Sequence, residues 1–293
     1  MHPNVLLIGG SGLVGRAVLR LCAGSGIKVA AVTRAAAPEA DVAGLARWHC
    51  GCDLDGIAGR LPDPAAIDAV IAAGPLDVLS YWLSRRPLPA LRRVVALSST
   101  SVKVKPDSPD VAERALAKRL AEGEARLVVA CVDAGIAWTI LRPTLIWGEG
   151  RDHNVSRLAA LARRHGRLVL PRFARGRRQP VRAEDVALAL LAALRSPGAA
   201  GLALDLPGGE ALPYDEMAAR VVRAVNPKAR LRRIPLPAAA VRLAARLGVV
   251  PPALAAVLLR MGQDLVFDGQ PAQAALGVAP RPFEPTENDF RPP

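Results

Sequence analysis

Short apolar blocks recur through the first 142 residues: VLLIG (5–9), KVAAVTR (28–34), LDVLSYW (76–82), RVVALSS (93–99) and AWTILRP (137–143). Continuous apolar runs of this length predict strands buried on both faces. Between them, 12–26 and 109–135 place their apolar residues at helical spacing. Strands alternating with helices predict an α/β fold, a Rossmann-type doubly wound parallel sheet with helices on both faces. The connection between 82 and 93 is short for a parallel crossover, so any helix within it is brief.

After residue 143 the texture changes. A loop rich in Gly, Arg and His (148–180) separates two apolar helical stretches. A helix is predicted over 184–196, a strand over LALDL (202–206), and helices near 214–225, 237–247 and 253–262. The expected organisation is a dinucleotide-binding domain over 1–147 and a smaller, mostly helical C-terminal substrate lobe with the tail over 148–293. The 180–206 segment is expected to return to the first domain. The tail APRPFEPTENDFRPP (279–293) is Pro-rich and reads as a wrapping segment or a loose end.

Composition narrows the function classes. The chain has 293 residues, is 51% hydrophobic and carries a net charge of +13. That charge favours acidic partners. Aromatics make up only 3%, too few to stack bases, and no nucleic-acid-reading motif is present, so specific nucleic-acid binding is not expected. His49, Cys50 and Cys52 lie close together, but a metal site needs a fourth ligand, and none is expected. The longest uncharged apolar run, 247–259, is broken by Pro251 and Pro252. It falls short of the roughly 18–20 residues that span a bilayer. No basic residue precedes the apolar start, so no leader peptide is read and the expected location is cytoplasmic.

The opening NVLLIGGSGLVG (4–15) carries chemistry. Gly9, Gly12 and Gly15 form G-x-x-G-x-x-G between a strand and a helix. There Gly9 permits a sharp turn, Gly12 lets a pyrophosphate approach, and Gly15 lets helix and strand pack closely. Gly10, Ser11, Leu13 and Val14 complete this cofactor-binding turn, whose helix N-terminus favours phosphate. The second strand ends in Thr33-Arg34, with no carboxylate for a ribose 2′-hydroxyl. Arg34 suits a 2′-phosphate instead, so NADP is expected in preference to NAD.

These residues resemble the extended short-chain dehydrogenase/reductase superfamily, in its NAD-dependent epimerase/dehydratase branch. CDLD (52–55), ALSSTSV (96–102), WTILRPTLIWG (138–148), RQPVRAEDVA (178–187) and DLPGGEALPYDEMA (205–218) resemble its later motifs in order, over most of the chain. The resemblance implies that Asp53 and Leu54 meet the adenine and that Pro143 lies beside the nicotinamide. It implies a Tyr and a Lys four residues later on a helix, with a Glu four residues beyond. In ERALAKRLAEGE (113–124), Lys118 and Glu122 fit that frame and Arg114 takes the Tyr position. Arginine stays protonated and cannot serve there as acid/base. The chain has two tyrosines, Tyr81 and Tyr214, neither in this stretch. Tyr81, read at the end of the fourth strand, is a candidate phenol and substrate contact from another direction.

Ser99 matches the family's Ser, and Lys118 would hold the nicotinamide ribose. Lys105 and Glu113 are the candidate acid/base groups of a modified site. Arg178 matches the family's diphosphate-holding Arg, with Asn154 and Thr100 as further substrate contacts. The implied function is an NAD(P)-dependent enzyme acting on a nucleotide sugar or another anionic metabolite. The rival is a non-catalytic NADP-binding regulatory or structural protein, like the NmrA-like regulators. Family members often dimerise through two helices, one of them like 109–126, so a homodimer is also implied. The amphipathic helices around Arg242 and Arg246 suit either packing on the lobe or an anionic membrane surface.

Overall fold

The computed structural model describes residues 4–52, 62–85 and 88–291. Seven strands form the central sheet. They are β1 (Val5–Ile8), β2 (Val29–Val32), β3 (Arg47–His49), β4 (Ala69–Ala72), β5 (Arg93–Leu97), β6 (Ala137–Pro143) and a late strand over Leu202–Leu206. Within the first half, helices run over Leu13–Ala23 (α1), Ala40–Ala43 (α2), Leu76–Leu83 (α3), Ser101–Val104 (α4) and Val111–Asp133 (α5). In β1, Val5 and Leu7 enter one face's core and Leu6 and Ile8 the other's, because side chains alternate along a strand.

The second half adds short strands β7 (Ile146–Trp147), β8 (Arg167–Pro171), β9 (Arg177–Arg178) and β10 (Val181–Arg182). The late sheet strand is therefore β11, followed by β12 (Leu212–Pro213) and β13 (Arg230–Ile234). Its helices are α6 (Val155–His165), α7 (Ala183–Arg195), α8 (Tyr214–Val225), α9 (Ala238–Arg246), α10 (Pro252–Arg260) and α11 (Gln270–Leu276). The sheet order is β3-β2-β1-β4-β5-β6-β11, with every pairing parallel. This is the doubly wound Rossmann arrangement with one added edge strand. Helices α1 and α7 pack on one face, α3 and α5 on the other.

One expectation fails. The stretch 76–82 is not a strand; it lies in α3, and the fourth strand is the shorter AVIA of β4. Leu76, Leu79 and Trp82 are buried and Tyr81 is exposed, as befits one helix face against a sheet. The crossover from β4 to β5 is then of ordinary length, with α3 inside it.

The smaller lobe has its own core around Trp147, Val155, Met217, Val221, Phe283 and Phe290. Trp147 meets Phe283 edge to face, ring centroids 4.9 Å apart. The Pro-rich tail therefore wraps: Phe283 and Phe290 are buried in this core. Among the described residues, no helix is long and apolar enough to cross a membrane.

Candidate functional site

The site begins where β1 ends. Gly9 has φ +80°, a conformation that side chains disfavour. The chain then folds back, and the Gly12 N–H donates to the Gly9 carbonyl at 3.0 Å. Arg16 donates to the Gly12 carbonyl at 2.9 Å, closing the first turn of α1. The amides of Leu13, Val14 and Gly15 therefore stand at the open N-terminus of α1. A Cβ on Gly15 would sit 2.0 Å from the Gly9 carbonyl oxygen, and one on Gly9 would sit 2.8 Å from the Ala73 backbone. Only glycine lets the turn pass between the ends of β1 and β4. Those two strands flank the point where the strand order reverses, the crevice where such sheets bind ligands. The cradle fits the pyrophosphate of a dinucleotide. Arg34 is exposed just past the end of β2. Asp53 and Leu54 lie outside the described residues.

From this cradle a cleft of about 1450 Å³ extends toward the smaller lobe. Leu13 and Val14 line it at one end, together with Ala73 and Gly74 after β4 and Ser98–Ser101 after β5. The Ser99 hydroxyl donates to the Ser101 hydroxyl at 3.1 Å and accepts the Ser101 N–H, also at 3.1 Å. Ser98 Oγ is buried with no hydrogen-bond partner among the described residues. Lys105 lines the cleft, its Nζ 3.4 Å from Glu113 Oε1. Behind it, Glu113 accepts from the Ser108 hydroxyl at 2.6 Å and pairs with Arg260. Burial alone would raise the Glu113 carboxyl, but Ser108, Arg260 and Lys105 together hold it below the usual carboxylate range.

Several expected roles do not survive the geometry. Lys118 lies on the outer face of α5, its side chain 78% exposed and 3.8 Å from Glu122. The cleft face of that helix carries Leu116, Arg119 and Leu120. The buried carboxylate is Glu124, not Glu122. It receives Arg142 of β6, with Nε–Oε1 at 2.9 Å, and this pair fixes how α5 is rotated against the sheet. Arg114 reaches away to the Ser108 carbonyl at 2.6 Å. Tyr81 is 38% exposed on α3, its ring under Arg85 at 4.2 Å, and does not line the cleft. Thr100 borders the cleft but is buried, and its hydroxyl donates to the Pro143 carbonyl at 3.3 Å, which braces β6.

Arg178 is the largest departure. It borders the cleft but is buried. Its guanidinium donates to the carbonyls of Gln263 (2.6 Å), Arg177 (2.9 Å) and Arg260. Burial pushes its pKa down to about 10. A buried guanidinium must find acceptors, and the 260–263 turn supplies them, so the fork holds the lobe together. Asn154 does line the cleft, beside Arg157. Its neighbour Asp152 caps α6, accepting the N–H groups of Asn154 (3.0 Å), Val155 (2.6 Å) and Ser156 (3.0 Å).

A second cluster has no signature in the sequence, because its members come from separate segments. Arg16 of α1 is fully buried; it pairs with Asp41 and lies 3.5 Å from Glu39 and 3.7 Å from Glu149. Arg20 reaches Glu149 and Asp41, and Arg151 reaches Glu39 at 3.2 Å. Together they tie the 148–151 loop, whose Arg151 lines the cleft, to α1 and α2.

No family model matches the chain. It is 31% identical over 265 residues to a 2-alkyl-3-oxoalkanoate reductase of Stenotrophomonas maltophilia (strain K279a), covering 76% of each. Among solved structures it resembles MoeE5 in complex with UDP-glucose and NAD, with a TM-score of 0.69, 18% identity, and coverage of 98% of this chain and 96% of that one. It also resembles a UDP-glucose 4-epimerase of Thermotoga maritima with UDP-glucose, with a TM-score of 0.69, 13% identity, and coverage of 99% and 96%. With its parallel sheet and glycine cradle, the chain belongs to the NAD-dependent epimerase/dehydratase family of extended short-chain dehydrogenases/reductases.

Proposed function

We propose that the protein is an NAD(P)-dependent oxidoreductase acting on an anionic small molecule, with NADP preferred. The observation that carries this reading is the continuity of one cleft from the α1 N-terminus to Ser98–Ser101. The amides at the start of α1 would hold the pyrophosphate, and Arg34 the 2′-phosphate. The cofactor, when bound, supplies hydride exchange with the substrate. Ser99 orients the reacting oxygen by a hydrogen bond. Lys105, on the same wall with its Nζ 3.4 Å from Glu113, exchanges the accompanying proton. Asn154, with Arg119 and Arg157, which make no ion pair among the described residues, attracts an anionic substrate; nucleotide sugars, as bound in the related structures, are the first class to screen.

Titration with NADPH and with NADH, followed by fluorescence, tests the reading. NADPH binding tighter than NADH supports it, and no binding of either removes it. The non-catalytic alternative has one observation in its favour: Leu116 and Leu120 occupy the cleft face of α5, so that helix supplies no proton-transfer group there. Stoichiometric NADPH binding with no consumption across oxo-acid and sugar-nucleotide substrates selects that alternative.

A further inference from the structure

Beyond the serines that follow β5, the part of the cleft between α5, α6 and α10 is walled largely by aliphatic side chains. Leu116 and Leu120 of α5, Leu161 of α6, and Leu254 and Val257 of α10 line it. Leu254 and Val257 are 50% and 47% exposed, so the mouth is apolar as well. Of the arginines on the cleft, Arg151, Arg178 and Arg260 are engaged with Glu39, backbone carbonyls and Glu113, which leaves Arg119 on α5 and Arg157 on α6. Both are exposed and make no ion pair among the described residues. The carboxylate nearest Arg157 in sequence, Asp152, is occupied in capping α6. A sugar ring placed against these aliphatic side chains, away from His153, Asn154 and Gln179, would press its hydroxyls onto methyl groups and leave them without partners. A methylene chain loses nothing there and gains from leaving water.

We propose that the substrate is an amphiphile, with an oxyanion head held by Arg119 and Arg157 and an aliphatic chain lying between α5, α6 and α10. This rests on the reading of the cleft as the substrate site beside the cofactor cradle. The head is a carboxylate or a phosphate, since a guanidinium fork suits both.

The test is calorimetric binding of straight-chain carboxylates from butanoate to decanoate, and of the matching alkyl phosphates, with and without NADPH. Affinity should rise about fourfold per methylene, equivalent to about 0.8 kcal/mol. The series that binds tighter identifies the head. Arg157→Ala should weaken every chain length by a similar factor of roughly ten. Leu120→Asn should flatten the dependence on length. Val257→Asp, on the exposed mouth, reads the same wall should Leu120→Asn not fold. Affinity independent of chain length in both series, or UDP-glucose binding more tightly than decanoate, overturns the proposal. NADPH titration of the unaltered protein keeps the two readings apart. NADPH binding without a chain-length effect overturns the amphiphile alone. Chain-length dependence without NADPH binding overturns the oxidoreductase alone.

Discussion

Gly15 and Arg34 carry the cofactor reading, and each fails in its own way when changed. Gly15→Ala places a methyl 2.0 Å from the Gly9 carbonyl oxygen, and both partners are backbone, so the turn must open. We expect a stability loss of about 2–3 kcal/mol, read as a lower thermal midpoint, and loss of NADPH binding. Arg34→Asp touches no packing, since the side chain is exposed. It replaces a phosphate partner with a ribose-hydroxyl partner, so the NADPH-to-NADH affinity ratio should fall at least roughly tenfold. An unchanged ratio assigns Arg34 to solvent. Arg178 shows the limit of reading at this scale. Its place in the motif is visible in the sequence, but the three carbonyls that absorb its guanidinium come from Arg177 next to it and from Arg260 and Gln263 far along the chain.

The decisive element is α5. Its extent over 111–133 is close to the 109–135 read from spacing, but its rotation is not legible from the residues alone. Gly123 lets α3 approach, since a Cβ at that position would lie 3.2 Å from the Asp77 amide nitrogen, and Glu124 docks on Arg142. Those two contacts turn Lys118 outward and bring Leu116 and Leu120 to the cleft. Glu124→Ala leaves the half-buried Arg142 without its partner and should cost about 2 kcal/mol in denaturant unfolding. Lys118→Ala removes an exposed pair and should change stability by less than about 0.5 kcal/mol, with no effect on NADPH affinity. A loss of cofactor binding in Lys118→Ala would restore the rotation that places Lys118 inside. The helical state of α3 escapes the residue pattern for a related reason: an apolar run as short as 76–82 satisfies strand and helix periods alike.

At the scale of the molecule, ion pairs such as Arg260–Glu113 and Arg20–Glu149 join the lobe to the sheet domain, and others act within each. Burial alone would raise Asp41 and Glu113, but Arg16 and Arg20 pull Asp41 down, and Ser108, Arg260 and Lys105 pull Glu113 down. Arg220 lowers Glu210 chiefly through its hydrogen bonds. All three carboxyls are thus lower in the folded chain than in the unfolded one. As pH falls, the unfolded chain takes up these protons first, so stability is full above the ordinary glutamate value of 4.5 and declines below it. Calorimetric scans between pH 7 and pH 3 should show a flat thermal midpoint that turns down in that window. A midpoint that stays flat to pH 3 would mean these pairs contribute nothing.

Much of the architecture is determined locally and is legible for that reason. The glycine turn, β6 over 137–143, β11 over 202–206 and α8 over 214–225 depend on neighbouring residues and their periodicity. The alternation of strand and helix suffices for the parallel sheet. What only the tertiary structure decided is which side chains face the cleft. A helix can present any face to a sheet until a close approach and a buried pair choose one, as Gly123 and Glu124 do for α5. A cation's role likewise depends on the acceptors that folding brings to it. Arg178 met carbonyls and became structural, Arg16 met three carboxylates from two segments, and Arg119 and Arg157 line the cleft without an ion pair among the described residues.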